Sequence, residues 1–130
     1  IERTLGEKYG KESVATYYGD TKDSIRQSIV DRFMDADDPL RFFVGNPKTG
    51  GYGLTLTSSH TVVYYSNDYS LEVRLQSEDR AHRIGQTSKV TYVDLMADHT
   101  IDEKIVKSLN AKIDLASQVM GEDPKKILFG

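Results

Sequence analysis

Apolar residues along the chain fall into short β-branched or aromatic runs that alternate with stretches of helical spacing. Val14 to Tyr18 is one such run, stopped by Gly19-Asp20, and its residue types predict a buried strand. From Lys22 to Ala36 the positions Ile25, Ile29, Phe33 and Met34 recur at helical spacing, with Thr21 or Asp20 as the expected N-cap and Asp37-Asp38-Pro39 as the break. Leu40–Val44, Thr61–Tyr65 and Val90–Leu95 read as three further strands, and Leu71–His82 as a helix. Thr100 with Glu103 forms a capping box ahead of the stripe Ile101, Ile105, Leu109, Ile113, Ala116 and Met120, which runs to Gly121. Ile1 and Leu5 lie one helical turn apart and Gly10 ends that stretch, so residues 1–12 are expected to be a truncated first helix. Residues 122–130, around Pro124, are expected to be a tail.

Alternating strands and helices, with strands nearly continuous in apolar residues, point to the α/β class: a parallel sheet with flanking helices in one domain over residues 1–130. At 130 residues the chain suffices for one domain with a core but not for two ordinary ones. No apolar run approaches the roughly 20 residues that span a bilayer. The chain has no cysteine, which removes disulfides and thiolate metal sites, and His60, His82 and His99 show no metal-ligand spacing. A net charge of −3 argues against a wholesale basic surface, yet a local cluster of donors is enough to grip a phosphate backbone.

The most informative segment is Gln76-Ser-Glu-Asp-Arg80-Ala-His-Arg83-Ile-Gly-Gln86. On a continuous helix Arg80 lies about 40° from Gln76 and Arg83 about 20° on its other side, so all three would share one face. Two guanidiniums and an amide pointing one way suit a polyanion, because arginine forks match phosphate oxygens and keep their charge. On spacing alone, a solvated face of ordinary surface charges is the competing reading.

This segment closely resembles motif VI of the Swi/Snf-type, superfamily-two, helicase-like ATPases. The resemblance implies that Arg83 is an arginine finger facing nucleotide held by another lobe, with Arg80 as its partner near the γ-phosphate and Gln76 beside them. The loop Lys48-Thr49-Gly50-Gly51-Tyr52-Gly53-Leu54, ahead of the Thr61–Tyr65 run, resembles motif V of the same family. Its glycines let backbone N–H groups approach phosphates, and Gly51 and Gly53 are expected to face ATP. Thr49 and Thr55 stand where the family usually has alanine and asparagine. The loop lacks a closing Gly-Lys-Ser/Thr, so it is not a Walker A cradle. Tyr18-Gly19, Arg26 and Phe33 resemble motif IVa, although Phe33 reads as core. Asn67-Asp68-Tyr69-Ser70 resembles a family stretch whose tryptophan and proline are replaced here.

The resemblance implies a RecA-like second helicase lobe whose first strand is expected to be missing from this chain. ATP and Mg2+ would be bound mainly by an N-terminal RecA-like lobe of the same protein, and the isolated 130 residues would hydrolyse nothing. Tyr18, Gly19, Lys48, Thr49 and Gly50 are the expected contacts to DNA, duplex and read without regard to sequence, since strand carboxyl ends are where open parallel sheets place ligands. No metal ligand and no membrane contact is expected. An intracellular location follows, cytoplasm or nucleoid for a prokaryotic or viral source. Two other readings stay open: a nucleic-acid-binding or regulatory module that has lost hydrolysis, and a lobe of an RNA-directed helicase.

Overall fold

A computed structural model describes residues 1–49 and 54–121. The chain divides into two compact units, Ile1–Ser58 and Ser59–Gly130.

The first unit opens with α1 (Glu2–Tyr9), closed by Gly10 at φ 96°. A side chain at residue 10 would meet both an unfavourable backbone region and the Glu12 carboxylate at 2.6 Å. After a single 3₁₀ turn (Lys11–Ser13) come β1 (Val14–Tyr17), α2 (Asp23–Met34) and β2 (Phe42–Gly45). The two strands pair in parallel from Val14 opposite Phe42 to Tyr17 opposite Gly45. Helix α2 starts from Lys22, which makes no side-chain cap, rather than from Thr21 or Asp20. The hydroxyl of Thr21 is otherwise engaged: it accepts the Tyr18 N–H at 3.1 Å and closes the turn after β1. From the last turn of α2, Arg32 forks onto Asp38 at 2.9 and 3.1 Å, and Asp38 also accepts the Leu40 N–H at 2.9 Å. Those bonds hold the Asp38 carboxyl below its usual range, the Arg32 bond foremost. Tyr17, Ile29 and Leu40 form the core, with Ala15, Val30, Phe33, Phe43 and Leu54 packed around them. Phe33 meets Phe43 edge-on at 5.5 Å, which bears out its reading as core, whereas Ile25 points to solvent.

The second unit runs β3 (Thr61–Tyr64), α3 (Leu71–Asp79), β4 (Thr91–Asp94) and α4 (Ile101–Met120). Its strands are also parallel, with Tyr64 opposite Asp94. Ser70 caps α3 by accepting the Val73 N–H at 3.3 Å. Thr100 caps α4 through the Asp102 N–H at 3.2 Å, while Glu103 reaches back to the His99 N–H at 3.1 Å. Gly121, in the left-handed region at φ 65°, ends the helix. Leu75, Tyr64, Ala81, Ile105, Val106 and Leu109 are buried; the ends of the α4 stripe, Ile101 and Met120, are exposed.

The expected parallel pairing with flanking helices is present, as one parallel pair of strands in each unit. The second pair is more open than its composition suggests, since Val63 and Val93, register partners on one face, are both exposed.

Candidate nucleotide-facing and nucleic-acid-facing sites

The two groups of candidate site residues lie in different units. In the first, Tyr18-Gly19 follows β1 and Lys48-Thr49 follows β2. Because β1 and β2 are adjacent, parallel and in register at Tyr17 and Gly45, both connections leave the same carboxyl edge, about 5 Å apart in the pairing direction. Arg26 fixes the first of them: its guanidinium donates to the carbonyls of Tyr18, at 3.3 Å, and of Gly19, and it is held to Asp23 at 3.2 Å. Asn46 shapes the second by accepting the Lys48 N–H on its side chain at 2.9 Å and the Thr49 N–H on its carbonyl at 2.9 Å. Tyr18, Gly19 and Lys48 are exposed. Gly50, Gly51 and Gly53 lie outside the described residues.

In the second unit α3 presents Gln76 and Arg80 on one side. The helix ends at Asp79, with Arg80 as its cap residue at φ −60° and ψ −37°, so the expected shared face holds for these two. It does not hold for Arg83, which lies in the turn beyond the helix. The reason is the local wiring of that turn. The N–H groups of Ala81 and His82 both converge on the Glu78 carbonyl, at 3.2 and 3.1 Å, and Gly85 takes φ 100°. Gln86 then ties the turn down from its side chain, donating to the carbonyls of Ala81 at 3.0 Å and Ser59 at 2.8 Å. Arg80 is buried. The Arg83 side chain keeps about a third of its exposure and approaches Asp79 at 3.7 Å.

A charged cluster behind α3 has no counterpart in the sequence reading. Arg74 donates to Glu78 at 2.7 Å, to Asn67 at 2.8 Å, and through two nitrogens to Asp94 at 2.5 and 3.1 Å. Its guanidinium lies 3.7 Å from the centre of the Tyr64 ring, and the Tyr64 hydroxyl meets Ser77 at 2.7 Å. Burial opposes the Arg74 charge, but the Asp94 and Glu78 bonds outweigh it and raise its affinity for the proton. Burial likewise works against the Asp94 carboxylate, and the Arg74 and Asn67 bonds overcome it, leaving the group below its usual range. The Tyr64 phenol is pushed up to about 12, chiefly by burial. Arg74 could have been noticed as the partner of Glu78 four residues on; the link to Asp94 could not, as it joins residues far apart in sequence.

Residues 1–85 match the family model described as the helicase conserved C-terminal domain. The chain belongs to that family, as the C-terminal lobe of a Swi/Snf-type helicase. This lobe is 38% identical over 111 residues to the ATP-dependent helicase fft2 of Schizosaccharomyces pombe, covering 84% of this chain and 9% of fft2. It is 36% identical over 104 residues to the helicase SWR1 of Saccharomyces cerevisiae, covering 80% of this chain and 7% of that protein. The C-terminal part of the Fun30 ATPase domain superposes with a TM-score of 0.73 at 29% identity, over 83% of this chain and 34% of that one. The lobe therefore spans only a small part of the relatives it matches. Among its described residues no helix is long and apolar enough to cross a membrane.

Proposed function

We propose that this lobe supplies the arginine finger and part of the DNA track of an ATP-dependent DNA translocase. In this reading the intact protein holds Mg-ATP mainly on its N-terminal lobe, and closure of the two lobes brings Arg83 and Arg80 to the transferring phosphoryl group. Positive charge there stabilises the oxygens on which negative charge accumulates. Gln76, on the face it shares with Arg80, orients groups around the γ-phosphate. Tyr18, Gly19, Lys48, Thr49 and Gly50 follow one phosphate strand of duplex DNA and contact no base, so binding is tolerant of sequence.

The observation that carries the reading is the split character of the arginine segment: Arg80 is buried at the end of α3 while Arg83 extends from a turn pinned by Gln86. A fixed root with a partly exposed tip is what an arginine acting on another lobe requires, and a surface ion pair would need neither. The names of the relatives, ATP-dependent helicases among them, agree with hydrolysis in the intact protein. The test is DNA-stimulated ATP turnover by the intact protein carrying Arg83→Ala. Near-complete loss of turnover with ATP affinity kept supports the reading, and turnover close to the unmodified protein's rejects it.

A further inference from the structure

We infer that Arg74 is a positioning residue for the phosphate-facing segment Gln76–Arg83, setting the seat of α3 on β4 through Glu78, Asp94 and Asn67. The inference rests on the functional reading above and adds a residue to it.

Around the helix Arg74 is about 160° from Gln76 and about 120° from Arg80, whereas Ser77 and Glu78 fall within about 60° of it. Arg74 therefore works from the side of α3 away from Gln76, and the partners it binds, Glu78, Asn67 and Asp94, are not among the residues expected to meet nucleotide. That side is held at three points. The Arg74 fork binds Asp94 on β4 and Asn67 in the connection before α3. Ser77 joins Tyr64 on β3 and also donates to the Arg74 carbonyl at 2.8 Å. Tyr92 on β4 donates to the Glu78 carbonyl at 3.1 Å, the same oxygen on which the Ala81 and His82 N–H groups converge. Rotation or sliding of the helix would break several of these at once, and each would shift Arg80 and the turn that bears Arg83.

Stability alone is a poor reason for the cluster. The side chains of Arg74 and Glu78 keep only 10% and 9% of their exposure, and buried ions gain little over well-packed apolar groups after desolvation. What a guanidinium adds is direction, since its planar fork meets fixed acceptors in a fixed geometry that an ammonium cannot copy.

The test uses the intact protein with Arg74→Lys, which keeps the buried charge and loses the fork, and Asp94→Asn, which keeps the shape and loses one arm. In each, turnover at saturating ATP and DNA is expected to fall between about tenfold and a hundredfold, the range for a displacement of about 1 Å at a reacting centre. KM for ATP should move little, and the loss of turnover should persist at temperatures where each variant is still folded, although removing one partner of a buried pair lowers the melting temperature. Turnover within twofold in both variants overturns the inference, as does a loss that merely tracks the unfolded fraction. Arg83→Ala assayed alongside separates the two possible failures. Normal turnover there overturns the functional reading, whereas its loss there with normal turnover in Arg74→Lys and Asp94→Asn overturns only the role of Arg74.

Discussion

Gln86 and Ser59 are joined by a hydrogen bond of 2.8 Å from the Gln86 amide to the Ser59 carbonyl, and the same amide nitrogen donates to Ala81 at 3.0 Å. One side chain thus fastens the turn carrying Arg83 to the chain entering β3. Gln86→Ala removes both bonds and is expected to cost about 1–3 kcal/mol of stability in the second unit, the usual range for bonds that leave carbonyls without partners. Denaturant unfolding measures it. An unchanged midpoint would mean that the turn is held by its backbone alone.

The second unit should weaken in strong alkali through Tyr64. Its folded-state pKa is raised to about 12 from an unfolded value of about 10, so the proton is bound more tightly in the folded state. Stability from that difference is fully present below pH ~10 and is lost as pH rises through the folded value. Tyr64→Phe, which cannot ionise, should show a flatter loss of stability between pH 10 and about 12. The check is unfolding free energy against pH for both proteins, and parallel curves would assign the alkaline loss elsewhere.

Much of this lobe was legible in its sequence because local rules were obeyed locally. Thr100 and Gly121 mark the ends of α4 through cap chemistry, and Phe33 could be assigned to the core from helical spacing. The failures have a common cause in tertiary context. Periodicity alone puts Arg83 on the α3 face, but the helix ends at Asp79 and gives way to a turn with Gly85 at φ 100° and a Gln86 side chain reaching back to Ser59. Thr21 was expected as a cap because its hydroxyl is suited to one, yet the turn after β1 uses it. The ion cluster on Arg74 is not written in local sequence, because Asn67 and Asp94 come to it from other elements.

The connections after β1 and β2 should act together in holding DNA. Lys48→Ala with Thr49→Ala in the intact protein is expected to weaken duplex binding for all sequences alike. One phosphate contact fewer should also make log Kd less steep against log salt, by about 0.9 per charge removed. Binding titrations at several salt concentrations on two unrelated duplexes give both quantities. DNA affinity and DNA-stimulated turnover both left intact would withdraw these residues from the track.

The most direct test of the central claim is single-turnover ATP hydrolysis by the intact protein bearing Arg83→Ala. The Arg83 side chain keeps about a third of its exposure, and ion pairs at such positions contribute under about 1 kcal/mol, so its removal should change folding stability little. Acting instead on charge that develops in the transition state, it should be worth on the order of a thousandfold in rate, roughly 4 kcal/mol of barrier, with ATP affinity little altered. The account expects that loss at an unchanged melting temperature. Hydrolysis within about threefold of the unmodified protein, less than 1 kcal/mol of barrier, or a large fall in folding stability, would contradict it.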